Sequence, residues 1–195
     1  GDDGCGGGCA CAQEWQICAE GLCVCAVEPS CDGKACGDDG CGGTCGSCAA
    51  GGICVEQDGG SLCAFPPAPA QVVPTEISSH NTGDCAVDWF ELTNLGEVPV
   101  TLEGCTIGDA SATGDHVISL PVVIPAGGLA LFVAGGALPG AVADYDFPKP
   151  NLNQGGDTLW LECPGDPAPV LQFSVDFTGD LGALPAPAAG ASVGL

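Results

Sequence analysis

A mainly β chain in two unlike parts is expected from this sequence: small disulfide-rich repeats with little regular structure, then a β-sandwich. Cysteine placement, an internal repeat and a change in hydrophobic patterning carry that expectation. Of the 16 cysteines in 195 residues, 13 fall within the first 63. Residues 37–45 repeat residues 1–9 at eight of nine positions. Beyond residue 70 the chain becomes a series of short apolar or alternating runs separated by Gly, Pro, Asn and Asp, the pattern of strands and turns.

The cysteines are Cys5, Cys9, Cys11, Cys18, Cys23, Cys25, Cys31, Cys36, Cys41, Cys45, Cys48, Cys54, Cys63, Cys85, Cys105 and Cys163. An even number at this density reads as a disulfide framework made in an oxidising compartment, and so as a secreted, extracellular or cell-surface protein. A metal-thiolate cluster is the rival reading, prompted by Cys9-Ala10-Cys11 and Cys23-Val24-Cys25. Disulfides are favoured because residues 1–63 carry one Lys against ten acids and no His precedes His80. Charge balance for thiolates and the Cys/His zinc pattern are both missing. Cys45-Gly46-Ser47-Cys48 is the one Cys-x-x-Cys, and a structural bridge is favoured there over redox chemistry.

The repeat is Gly1-Asp2-Asp3-Gly4-Cys5-Gly6-Gly7-Gly8-Cys9 against Gly37-Asp38-Asp39-Gly40-Cys41-Gly42-Gly43-Thr44-Cys45. Cys5 aligns with Cys41, Cys9 with Cys45, Cys11 roughly with Cys48 and Cys18 with Cys54, a period of about 36 residues. Repeat 1 is assigned to residues 1–30 and repeat 2 to 31–63. The position matching Cys36 would fall just before Gly1, so repeat 1 is expected to be truncated at its start and the natural polypeptide to extend further. No signal peptide is seen, as for a processed product or a fragment. The larger apolar residues of this part are only Trp15, Ile17, Leu22, Val24, Val27, Ile53, Val55 and Leu62. They are too few for a core, so covalent bridges must hold the fold. Tight turns, short hairpins and almost no helix are expected, with Gly supplying positive φ.

Residues 64–70, Ala-Phe-Pro-Pro-Ala-Pro-Ala, form a Pro-rich linker that should be extended and semi-rigid. Residues 71–195 are the sandwich. Strands are expected at 72–79, 87–94, 98–102, 105–109, 116–120, 129–134, 158–163 and 170–176. Its core is expected from Trp89, Phe90, Leu92, Ile107, Ile118, Leu131, Phe132, Leu159, Leu161 and Phe173.

The motifs of this second part resemble a lamin-tail domain of secreted bacterial proteins. They are Glu76-Ile77, Asp88-Trp89-Phe90-Glu91-Leu92-Thr93-Asn94-Leu95-Gly96, Val98-Pro99-Val100-Thr101-Leu102-Glu103-Gly104-Cys105-Thr106-Ile107-Gly108-Asp109, Val123-Ile124-Pro125-Ala126-Gly127-Gly128, and Leu152-Asn153-Gln154-Gly155-Gly156-Asp157-Thr158-Leu159-Trp160-Leu161. They cover roughly residues 72–177. The resemblance implies an immunoglobulin-like β-sandwich and an interaction or anchoring role, with no reaction attached. The family usually has Trp where Cys105 stands, which implies a disulfide in place of aromatic packing. The family often continues past a segment like Ala191-Ser192-Val193-Gly194-Leu195, so a boundary is expected there too. The first part resembles Cys-rich CGDDGCGGxCGxC repeats of large secreted bacterial proteins, which imply no activity.

Parity adds a constraint. Thirteen cysteines precede the linker and three follow it. Full pairing within the chain therefore needs a bridge that crosses the linker; otherwise a cysteine on each side is free or bonded elsewhere.

Charge excludes several functions. The chain has 25 Asp and Glu against Lys34 and Lys149, a formal charge of -23. Two cations cannot neutralise a phosphate backbone or an anionic membrane, and no apolar run is long enough to insert. His80 and His116 are the only histidines. Ser78-Ser79-His80-Asn81 supplies adjacent residue types for a nucleophile and base, but adjacency does not make a triad. No enzyme is expected, and no cofactor except calcium, which Asp2, Asp3, Asp38, Asp39, Asp109 and Asp115 could ligate, with Asp144, Asp146 and Asp157 as further candidates. The favoured reading of these Asp residues is turn formation and solubility. The function expected is a non-catalytic structural or surface-interaction protein, a candidate subunit of an extracellular fibre or coat, with itself or other extracellular proteins as partner. The alternative is an accessory targeting or adhesion module of a larger secreted hydrolase.

Overall fold

The computed structural model describes residues 11–79, 87–177 and 193–194, apart from 12, 15, 21, 58, 112–114, 136–137, 139, 149–151 and 154–155. Asp2, Asp3, Cys5, Cys9, Trp15, His80 and Cys85 therefore lie outside the described residues. The chain divides into two compact units, Gly1–Cys63 and Ala64–Leu195. The described secondary structure is all strand, as the mainly β expectation requires.

The first unit is two hairpins among turns. Strand β1 (Gln16–Ala19) pairs antiparallel with β2 (Leu22–Cys25), setting Cys18 opposite Cys23. Strand β3 (Ile53–Gln57) pairs with β4 (Gly60–Ala64). The two hairpins share a pattern: Ile17-Cys18 and Leu22-Cys23 in one, Ile53-Cys54 and Leu62-Cys63 in the other. Their apolar side chains gain little from burial. Ile17, Leu22, Val24, Val27 and Ile53 are exposed, while Val55 is buried.

The second unit is built from two principal sheets. Its strands are β5 (Val72–Ser78), β6 (Trp89–Asn94), β7 (Val100–Thr101), β8 (Thr106–Gly108), β9 (His116–Val117), β10 (Val123–Ile124), β11 (Leu129–Ala134), β12 (Tyr145–Phe147), β13 (Thr158–Cys163), β14 (Val170–Asp176) and β15 (Val193–Gly194). One sheet has the order β12-β11-β6-β5-β15, the other β14-β13-β8-β9, and β7 pairs separately with β10. Both principal sheets contribute to one apolar core. Val72, Ile77, Phe90, Leu92, Ala130, Phe132 and Phe147 come from the first, and Ile107, Leu159, Leu161 and Phe173 from the second. Phe90 is stacked on Phe132 with ring centroids 5.0 Å apart, and Phe147 lies 5.0 Å from Phe90.

Alternation decides which residues enter that core. In β6 the burial alternates from Trp89 outward to Phe90 inward, and so on to Asn94. Trp89 and Leu131, expected in the core, are only partly buried because their strand neighbours Phe90 and Phe132 occupy the inner face. Residues 64–70 belong to the second unit. Phe65 donates its amide to Pro99 O at 3.1 Å and accepts from Thr101 N at 2.9 Å, and Pro67 O accepts a bond from Gln172 Nε2 at 3.5 Å.

Candidate functional site: the cystine framework

Six disulfides join described cysteines. Five lie in the first unit: Cys11–Cys23, Cys25–Cys41, Cys31–Cys45, Cys36–Cys54 and Cys48–Cys63. Their Cα atoms stand 5.3–5.9 Å apart, within the usual reach of a bridge. Cys18 carries no bridge.

In repeat 2 the Gly-Asp-Asp-Gly-Cys-Gly-Gly motif, residues 37–43, is a loop that carries Cys41 of the Cys25–Cys41 bridge. Asp39 Oδ1 accepts the amides of Cys41 at 2.8 Å and Gly43 at 2.9 Å, so the carboxylate organises the turn around the cysteine. Gly43 is required there, because a Cβ would collide with the Asp39 carboxylate. Gly40 and Gly42 sit at φ 86° and 79°, where a side chain is strained. Asp38 Oδ1 accepts the Gly40 amide. Cys45 N donates to Gly37 O at 2.8 Å, closing the loop. Lys34 Nζ donates to Asp38 O at 2.6 Å, tying the preceding turn to it. Ser61 of β4 donates its hydroxyl to Cys36 O, and Ala35 N donates to Ser61 O at 2.8 Å. Each special residue of the motif thus has a backbone task.

The sulfurs of Cys36, Cys48 and Cys63 lie within 4.8 Å of one another, and this is the one group of metal-ligand type found among the described residues. Cys36 is bonded to Cys54 and Cys48 to Cys63. The group is two cystines packed together, so in this oxidised form it offers no thiolate to a metal. A cleft of about 300 Å³ in the first unit is lined by Lys34, Glu56, Gln57, Gly59 and Gly60.

The sequence-proposed sites of the second unit are used structurally. Asp157 is buried; it accepts Ala110 N at 3.1 Å and Thr158 N at 2.8 Å on one oxygen, and Asn153 N and Nδ2 on the other. Asp109 Oδ1 accepts Ser111 N at 2.7 Å, while Asp109 O accepts Trp160 Nε1 at 3.0 Å. Asp115 is exposed. Asp144 and Asp146 accept the amides of Leu131 and Gly135. Asp109 and Asp157 meet at the loop around Ala110, but no three carboxylates converge within ligand distance among the described residues. His116 Nε2 is bonded to Tyr145 Oη at 2.7 Å.

Sequence reasoning missed two buried polar anchors. Asn94 donates through Nδ2 to the carbonyls of Val98, Ile124 and Pro125 and accepts from Gln71 Nε2 and Gly96 N. Gln172 Oε1 accepts the amides of Gln71 and Val72. An Asn opening a Gly-containing turn was the available signal for the first; nothing in the pattern of β14 marks Gln172. The sixth bridge, Cys105–Cys163, is fully buried and joins the start of β8 to the end of its sheet neighbour β13.

Among the described residues no helix is long and apolar enough to cross a membrane, and the disulfides indicate an oxidising environment. No protein-family model matches the chain, and a search of curated proteins returns no similar sequence.

Proposed function

We propose that this chain is a secreted, non-catalytic structural or surface-interaction protein that contributes to an extracellular fibre or coat. The observation that carries the reading is the first unit, in which five bridges and the Asp39 loop do the work of a core. Such a unit survives dilution, proteases and weak denaturants outside a cell without a large apolar interior. We assign the second unit to the lamin-tail type on its motifs, and with it an anchoring role. The net charge of -23 disfavours lateral packing of copies in low salt, so assembly is expected to depend on ionic strength.

Negative-stain microscopy of the native extracellular material, with antibody labelling of this chain, tests the reading. Label along fibres or a surface layer is the expected result. Label confined to dispersed monomers overturns the fibre or coat role. Co-purification in a single polypeptide with a hydrolytic domain favours the accessory-module alternative.

A further inference from the structure

The β14-β13-β8-β9 sheet of the second unit carries one aromatic ring on its outer face. Alternation in β13 sends Leu159 and Leu161 into the core and leaves Thr158, Trp160 and Glu162 on the other side, each partly exposed. Register sets Gly108 of β8 and Ser174 of β14 beside Trp160, and Thr106 and Leu171 beside Glu162. Thr106 is paired in turn with Val117 of β9. Leu171 and Val117 are both exposed.

The indole is fixed in place. Gly108 is buried, and a Cβ built on it would lie 2.2 Å from Trp160 Cζ2 and 2.4 Å from Trp160 Cε2. The ring therefore rests on the β8 backbone, in room that only Gly leaves. Trp160 Nε1 donates to Asp109 O at 3.0 Å. The one polar atom of the ring is thus satisfied by the protein, and what it offers to solvent is π surface. The same point above Gly108 lies 2.8 Å from Asp115 Oδ1. Asp115, just ahead of β9, is exposed, so a carboxylate borders the ring. Glu162, two residues along β13, sets a second carboxylate on the same face. The one Lys among the described residues, Lys34, belongs to the first unit.

We propose that Trp160, with Asp115 and Glu162, is a docking site for an Arg side chain on the surface of a basic partner protein. An aromatic plane with a carboxylate at its rim matches a guanidinium, which is planar, stacks on a Trp face and forks its N–H donors onto a carboxylate. A Lys ammonium is a compact, strongly hydrated charge and uses the plane less well. In the docked state the guanidinium stacks on Trp160 and donates to Asp115, Glu162 meets a neighbouring cation, and Leu171 and Val117 supply an apolar rim. The net charge of -23 draws basic partners and repels anionic ones; the ring selects Arg among the cations. These 195 residues contain no Arg, so a second copy of them cannot be the occupant. The site stands apart from the fibre or coat reading, since a free or accessory module would use it equally.

The test is titration of the full chain with the peptide acetyl-Gly-Arg-Gly-amide, followed by proton–nitrogen correlation spectra of the indole groups. The Trp160 signal is identified by its loss in Trp160→Leu or, if that variant does not fold, by its proximity to the Gly108 α protons. It is expected to shift and saturate, while the indole of Trp89, on the outer face of the other sheet, stays still. The matching Lys peptide is expected to bind about threefold more weakly. Asp115→Asn, at an exposed position that leaves the fold intact, is expected to weaken the Arg peptide by about threefold, and Gly108→Ala, which pushes the ring off its seat, to weaken it as well. Equal affinity for the Arg and Lys peptides, an equal shift at Trp89, unchanged binding in Asp115→Asn, or no saturable shift at Trp160 overturns the proposal.

Discussion

The two units stay folded by opposite means. The second unit buries Phe90, Phe132, Phe147, Leu92, Leu159 and Leu161 completely and needs one described bridge, Cys105–Cys163. The first leaves Leu22 68% exposed and Val27 58% exposed, and within it five bridges close loops of 12–18 residues. Chain-entropy estimates give about 3 kcal/mol for each such loop, comparable with burying a large apolar side chain. Below a certain size, cross-links replace apolar area as the means of limiting the unfolded ensemble.

Full reduction separates the two most sharply. With a strong thiol reductant, the first unit is expected to lose all protection from protease, while the second keeps its strands. The check is limited proteolysis with mass mapping; equal protection of both units after reduction would break the contrast. The converse experiment is Phe90→Ala. It is expected to cost the second unit about 4 kcal/mol in chemical denaturation and to leave the reduction of the first-unit bridges unchanged. Its neighbour Trp89, on the outer face, is the internal control, and Trp89→Ala is expected to cost well under half as much. Gly43→Ala acts on the first unit instead and is local in effect. A Cβ there displaces the Asp39 carboxylate and forfeits two loop hydrogen bonds, about 1–3 kcal/mol. Easier reduction of Cys25–Cys41 and Cys31–Cys45, read in graded redox buffers, is the expected outcome. The least effect is expected from calcium. Asp38 and Asp39 each already give one oxygen to turn amides, so micromolar calcium should leave the Tm unchanged; a rise abolished by chelator would restore the cation reading.

Much of this was legible in residue order. The runs at 129–134, 158–163 and 170–176 coincide with β11, β13 and β14, because six or seven apolar or alternating residues between turn formers leave little choice. Strands β10 and β12 have only two or three residues each, too short for a period to show. Tyr145, Phe147 and Leu152 consequently enter the core from a Pro- and Asp-rich stretch that reads as loop. Adjacent aromatics misled for a similar reason: Trp89 and Phe90 cannot both face inward on one strand. The repeat was plain, yet the pairing was not, since Cys25–Cys41 runs from repeat 1 to repeat 2 and spacing alone does not reveal that. The turn role of Asp39 was readable from its Asp-Gly context, whereas its grip on two particular amides needed coordinates.

The order of bridges along the chain also fixes how the first unit carries load. Cys11–Cys23, Cys25–Cys41 and Cys48–Cys63 follow one another without overlap and short-circuit 12, 16 and 15 residues. Tension entering near Cys11 and leaving at Cys63 travels through sulfur, past most of the intervening backbone. The hairpins can then open without releasing slack. A series of such repeats would be a tether of nearly fixed contour length, stiff against stretching while its surface remains soft.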